Sequence, residues 1–222
     1  TGREVNTALE NIHQDDAELQ GLILDMRNNP GGVLQAAVDV VDAFISEGLI
    51  VYTEGRETNS YSRFDATPTD PSRGVPLIVL INQGSASASE VVAGALQDHN
   101  RAVVMGTQSF GKGSVPTVLP LANNRAIKLT TALYYTPNGR SIQALGITPN
   151  IIVRQGRLTS LPENPASYRE EDLDGHLENG DLTGSIPEVL DLTGQQVIIG
   201  DYQLNEAMNI LKGLSLLRAQ PY

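Results

Sequence analysis

The run VPLIVLIN, residues 75–82, constrains the fold more than any other stretch of this chain. Its aliphatic and β-branched side chains do not alternate with polar ones, so a strand built from it is apolar on both faces. Such a strand belongs inside a sheet that is covered on both sides. A turn of small residues, QGSASAS (83–89), follows it, and then EVVAGALQDH (90–99), whose Val91, Val92, Ala95 and Leu96 fall on one side of a helix. AVVMG (102–106) reads as the next strand. Upstream, Val5, Leu9 and Ile12 mark a helix over 4–19, and GLILDMR (21–27) is a buried strand ending in charge. After the turn NNPGG (28–32), residues 33–48 read as a helix stopped by Gly48, and LIVYTEGRE (49–57) as a strand. Residues 58–74 are rich in Ser, Thr, Asp and Pro and read as a loop. Apolar strands alternating with helices predict an α/β chain with a parallel or mixed sheet.

The pattern changes after Lys112. VPTVLPL, AIKLTTALYYT and NIIV read as strands in a hairpin region, with turns at Asn123-Asn124 and Pro137-Asn138-Gly139. Residues 154–200 lose regularity and hold Pro162, Pro165 and the acidic Glu170-Glu171-Asp172, so they read as an arm or linker, with VIIG (197–200) as a late strand. Leu204, Met208, Leu211 and Leu214 then recur at helical spacing over 201–218, a stripe that reads as core packing rather than a dimer contact. The expected organisation is a core over 1–153 and an extension, arm plus helix, over 154–222.

Composition removes several function classes. A net charge of −11 disfavours nucleic acid and anionic membrane surfaces as partners. The absence of cysteine removes disulfides, zinc–thiolate sites and a cysteine nucleophile. No apolar run approaches the roughly 20 residues of a membrane span. His13 and His176 lie in polar segments and read as solvated, while His99 ends a helix. No pair of histidines or carboxylates has metal spacing, and no cofactor is expected.

Lys112, in SFGKGSVPTV (109–118), admits three readings. Gly106 to Lys112 matches a phosphate loop, but Gly113 stands where Ser or Thr should reach Mg²⁺, and a strand follows instead of a helix. Ser109-x-x-Lys112 has the spacing of a helical Ser/Lys pair, yet Gly111 and Gly113 disfavour a helix. The third reading makes Lys112 the base for a remote serine in Gly84-Ser85-Ala86-Ser87-Ala88-Ser89-Glu90, where a helix start offers backbone N–H groups to an oxyanion. A serine there is also simply a good N-cap.

The blocks LILDMRNNPGG, INQGSASASE, GALQDHNRAVVMG, SFGKGSV and YYTPNGRSIQALGITPNI, in that order over about residues 1–153, resemble the carboxy-terminal processing proteases, or tail-specific proteases. The resemblance implies a ClpP/crotonase-like β-α spiral and a serine endopeptidase with a Ser/Lys dyad: Ser87 as nucleophile and Lys112 as base. It implies oxyanion donors from the backbone of Gly31 or Gly32 and of Ala88, with Ser85 and Ser89 as turn and cap hydroxyls. The rival for the two glycines is a plain strand-to-helix connection. Arg27 is expected to pair with an acid and hold the turn, and Glu90 to support the site or suit the helix dipole.

An ordinary lysine is neutral in only about one part in 10³ near pH 7, and burial is what raises that fraction. Lys112 is therefore expected to be buried and free of a carboxylate partner. The family also carries a Gln four residues after the lysine, which orients the amine; here that residue is Pro116. The orienter is then absent, or supplied elsewhere by Gln108 or Thr117. Two rivals follow: a degenerate, protease-like scaffold, suggested by Pro116, and a crotonase-like acyl-CoA enzyme, which has no need of the Ser87/Lys112 pair. The resemblance further implies substrates with accessible C-terminal tails, self-association, a helical-repeat lipoprotein adaptor, and a periplasmic or exported location. It implies a PDZ domain as well; none is visible, and the chain opens at Thr1-Gly2-Arg3 just after where one would lie, so a longer precursor is expected.

Overall fold

The computed structural model describes residues 1–15, 19–56, 61–123, 125–156, 169–177 and 200–218. Among these residues four α-helices, α1 (Gly2–Asp15), α2 (Leu34–Asp42), α3 (Ala88–Asp98) and α4 (Tyr202–Arg218), accompany eight strands: β1 (Leu22–Asp25), β2 (Leu49–Gly55), β3 (Ser62–Asp65), β4 (Leu77–Ile81), β5 (Ala102–Gly106), β6 (Ser114–Leu121), β7 (Arg125–Tyr135) and β8 (Ile151–Ile152). They form two sheets. The first is parallel, in the order β1-β4-β5-β8, and the second antiparallel, β3-β2-β7-β6. The α/β class with a mixed strand arrangement and a C-terminal helix agrees with the sequence reading.

The both-faces-apolar run does what its composition requires. All five residues of β4 are buried. Leu77, Val79 and Ile81 join the core that includes Val38 and Val41 of α2 and Val91, Val92 and Leu96 of α3. Ile78 and Leu80 point the other way, into a second cluster with Met105, Val153 and Ala207 and Leu211 of α4. The period-two alternation of a strand thus sends consecutive side chains into two different cores. Each fully buried Ile or Leu contributes about 1.5–3 kcal/mol. The C-terminal helix is therefore the second cover of the parallel sheet, although Leu214 of its predicted stripe is 37% exposed.

Three readings need correction. The 58–74 segment contains β3, which pairs antiparallel with β2; β2 would otherwise leave one row of backbone groups unpaired, and that requirement outweighs the polar composition. The second helix is shorter than 33–48, because the chain tightens after Asp42 with Phe44 and Ile45 N–H both donating to the Val41 carbonyl. His13 is buried rather than solvated, on a helix that packs against α2. Residues 157–168, 178–199 and 219–222, with most of the expected arm and of the late strand, lie outside the described residues.

Strands β6 and β7 leave the body as a ribbon. Leu119 pairs with Ile127, and Leu121 and Leu129 lie diagonally beside them, so four exposed aliphatic side chains share one face. Strand β6 is an edge, and Pro116 and Pro120 sit on it two and six residues into the strand from Ser114. No helix among the described residues is long and apolar enough to cross a membrane.

Candidate active site

The parallel strands β1, β4 and β5 all end toward one side, and the loops leaving them meet there, as expected for ligand sites of α/β sheets. The turn after β4 carries three serines at alternate positions, and the structure separates their roles. Ser85 is fully buried; its hydroxyl donates to the Met26 carbonyl (2.8 Å) and accepts from Asn82 N–H (3.0 Å). The Ser89 hydroxyl donates to the Asn29 carbonyl (3.0 Å). Both tie this turn to the one after β1. Ser87 between them is partly exposed and stands at φ +58°, ψ −116°, immediately before α3. That backbone conformation costs a non-glycine residue of order 1–3 kcal/mol and persists only where the surroundings impose it. It is the kind of sharp strand-to-helix turn that presents a nucleophilic serine.

Glu90 imposes it. The side chain is fully buried, and four donors converge on its two oxygens. Oε2 accepts from the backbone N–H of Ser87 (2.7 Å) and of Lys112 (2.9 Å), and Oε1 from Gly111 N–H (2.6 Å) and the Ser109 hydroxyl (2.6 Å). Ser109 Oγ in turn accepts from Ile147 N–H (2.7 Å). One carboxylate, acceptor-only in its ionised form, therefore holds the backbones of Ser87 and Lys112 together across 25 residues of sequence. The sequence marked Glu90 only as a supporting residue; its grip on both segments could not be read from local spacing.

Gly31 packs against the serine turn. Its φ is +89°, and a Cβ built there would collide with the Ala86 carbonyl oxygen and lie 2.8 Å from Ala88 N and 3.1 Å from Ser87 Cβ. Only glycine fits such an approach. The Gly31 N–H is already engaged by Asn29 Oδ1 (2.9 Å). Gly32 N–H and Ala88 N–H have no acceptor among the described residues. The turn itself is sewn to the β4 end by Asn28 N–H to Asn82 Oδ1 (2.9 Å), Asn82 Nδ2 to Asn28 Oδ1 (3.0 Å) and Ala86 N–H to the Asn29 carbonyl (3.0 Å). Beside it lies a cavity of about 90 Å³, lined by Met26, Ala36, Ala37, Val40, Ala88 and Val92 among others.

Arg27 does pair with acids. Asp25 takes Nε and Nη2, and Asp201, at the start of α4, takes Nη1 and Nη2. The hydrogen bonds to Asp25, then those to Asp201, raise the Arg27 pKa further above its ordinary value. The Arg27 guanidinium, with help from Leu204 N–H, holds the Asp201 carboxyl below the usual range.

Lys112 departs from expectation. Its side chain is exposed, not buried, and its ammonium makes no hydrogen bond or ion pair among the described residues, so neither Ser87 nor a carboxylate holds it. It stands just before the ribbon leaves the body, where nothing apolar among the described residues closes over it. The two substitute orienters are committed elsewhere: Gln108 Nε2 to the Leu145 carbonyl (2.6 Å), and Thr117 Oγ1 to Thr131 Oγ1 (2.7 Å). A glutamine not singled out from sequence, Gln143, accepts Gly113 N–H through Oε1 (3.1 Å).

The chain is similar to known proteins. The carboxy-terminal-processing protease of Bartonella bacilliformis is 52% identical over 204 residues, covering 88% of this chain and 45% of that protein. The carboxyl-terminal-processing protease of Synechocystis sp. is 43% identical over 155 residues, covering 69% of this chain and 35% of its own length. The chain thus spans less than half the length of these relatives. Among solved structures, the photosystem II D1 C-terminal processing protease superposes with a TM-score of 0.62 at 34% identity, over 69% of this chain and 39% of that one. The Peptidase family S41 model matches residues 1–153, a span that includes every site residue above except Asp201. The match covers more than half of the chain, and the chain belongs to peptidase family S41.

Proposed function

We propose that this chain carries the catalytic core of a serine endopeptidase that cleaves protein substrates near their C termini. The observation that carries the reading is Ser87, held at positive φ at the start of α3 with an unengaged amide beside it. Lys112 takes the proton from the Ser87 hydroxyl, and the oxygen attacks the peptide carbonyl. The negative charge that develops on the carbonyl oxygen is met by the N–H groups of Ala88 and Gly32. Gly31 gives up its N–H to Asn29 and serves by allowing close approach. The amine leaves with the proton from Lys112, and water then releases the acyl group from Ser87.

The exposure of Lys112 adds a requirement. A lysine acts as a base only when its surroundings favour the neutral amine, so a cover, such as bound substrate or a further segment, must close over it before turnover. The cavity beside Ala88 and Gly31 suits a small apolar side chain on the acyl side of the cleaved bond. An exported location, self-association and a lipoprotein adaptor are part of the same reading, by family.

A second reading, a non-catalytic scaffold, is favoured by Pro116 together with the open Lys112. Cleavage of casein or a tail peptide by wild type, Ser87→Ala and Lys112→Ala separates them. Activity lost in both variants upholds the dyad. Activity retained in either refutes it, and an inactive wild type that still binds tail peptides favours the scaffold.

A further inference from the structure

We propose that Asp201, at the entry to the C-terminal helix, is a positioning residue for the oxyanion turn and acts through Arg27. This rests on the protease reading above, and it concerns a residue beyond the span that the family pattern covers.

Arg27 links the two elements. It stands between the end of β1 and Asn28, where the backbone reverses at φ +56° into Asn29-Pro30-Gly31-Gly32. Its side chain is 14% exposed. All five of its N–H donors find acceptors: Nε and Nη2 on Asp25 (2.9 and 2.6 Å), Nη1 and Nη2 on Asp201 (2.9 and 2.6 Å), and Nη1 on Gln203 Oε1 (3.0 Å). A saturated, planar guanidinium held by two carboxylates has one orientation available to it. Asp25 alone cannot supply that restraint, because it is two residues away on the same strand end and moves with it. Asp201, 174 residues distant in sequence, anchors Arg27 to a different element.

That element is itself fixed. Asp201 Oδ1 accepts Leu204 N–H (3.1 Å) and its carbonyl accepts Asn205 N–H (3.0 Å), so the residue also begins α4. Gln203, buried, donates from Nε2 to the Val153 carbonyl (2.7 Å) while accepting from Arg27. Ala207 and Leu211 press the helix onto the β4–β5 face of the sheet. The oxyanion turn is therefore gripped from two sides: from the β4 end through Asn28, Asn29 and Asn82, and from α4 through Arg27. Releasing the second grip frees the β1 end without removing any group that touches substrate. Misplacement of reacting groups by about 1 Å costs as much as about 10²-fold in rate while leaving ground-state binding little changed.

The test compares the full chain with Asp201→Asn and Leu211→Val, which thins the α4 packing but leaves the clamp. Each is assayed for kcat and KM on a tail peptide with Ser87→Ala as blank, and for amide hydrogen exchange. The expected result for Asp201→Asn is a fall in kcat of about tenfold to 10²-fold with KM within about twofold. Exchange should quicken at residues 28–33 while the amides of 205–216 stay protected. Leu211→Val should keep the wild-type kcat and lose only thermal stability. Unchanged kcat in Asp201→Asn, or an equal loss in Leu211→Val, overturns the proposal. If the wild type does not cleave at all, the protease reading fails separately. The exchange at 28–33 then decides alone: quickening in Asp201→Asn upholds the clamp, and no change overturns it.

Discussion

Replacing Glu90 by Gln is the sharpest probe of how this site is held together. The substitution changes almost no volume but converts an acceptor of four hydrogen bonds into a group with one oxygen and one NH₂. If the NH₂ takes the place of Oε1, it faces Gly111 N–H and the Ser109 hydroxyl. That hydroxyl can accept, but its own proton then has no partner, and Gly111 N–H meets another donor. If the NH₂ takes the place of Oε2, the stranded donors are the amides of Ser87 and Lys112. Either way two donors lose their acceptor, buried in the first case and partly buried in the second, at about 1–3 kcal/mol each, or about 2–6 kcal/mol together. Set against a total stability of about 5–15 kcal/mol, that is a large fraction. Urea unfolding followed by far-UV circular dichroism measures the loss, and peptide cleavage reports the site. The expected result is destabilisation in that range with turnover reduced at least about tenfold, because either the Ser87 and Lys112 amides or the 109–111 segment leading into Lys112 loses its anchor. A loss under about 0.5 kcal/mol with turnover within a few-fold of wild type would refute the reasoning, since it would show that the four-donor arrangement does not hold the two segments.

Other substitutions test neighbouring steps. Gly31→Ala should abolish turnover and lower Tm, since the added Cβ meets the Ala86 carbonyl at a φ that alanine resists; a fully active variant would contradict the close approach. Ala36→Leu should fill the cavity beside Ala88 and raise KM at least about tenfold for peptides with Val on the acyl side, with Gly-containing peptides less affected; equal effects on both would disconnect the cavity from specificity. Pro116→Gln should raise turnover several-fold by giving the Lys112 amine a carboxamide partner, as tail-peptide kinetics would show, and a loss or no change would sink the idea. For pH, the Asp201 carboxyl titrates lower in the folded chain than in the unfolded one. Its contribution is present above the ordinary aspartate value near 3.9 and is lost as pH falls through the lowered folded value. Stability measured by urea from about pH 5 to about pH 2 should decline less steeply in Asp201→Asn than in wild type; identical slopes would refute the linkage.

Much of this was legible in the chain. The run at 75–82 announced a strand apolar on both faces, and the structure supplied a core for each face. The three serines at 85, 87 and 89 were visible, but composition could not rank them; hydrogen bonds that cross from one turn to another do so. The same holds for Gly31 and Gly32, which differ in that Asn29 claims the amide of the first. Asp201 had no local signal at all, because its partner lies 174 residues away. The expected burial of Lys112 failed for a related reason. Motif spacing states which residues the chemistry needs, whereas burial depends on whatever packs over them, and among the described residues the ribbon leads away from Lys112 instead of across it.

The two prolines on β6 bear on how this chain behaves at high concentration. A ribbon with four exposed aliphatic side chains on one face and, among the described residues, no strand beyond β6 has the makings of cross-β stacking. An unpaired strand invites another copy to add on through its outward N–H groups, and proline in an edge strand turns its missing N–H toward solvent. Pro116, Val118 and Pro120 share that outward phase, so only the middle one can donate. Pro116 thus also guards that edge, and Pro116→Gln, the substitution expected to raise turnover, would add a rung to the ladder from which aggregates form.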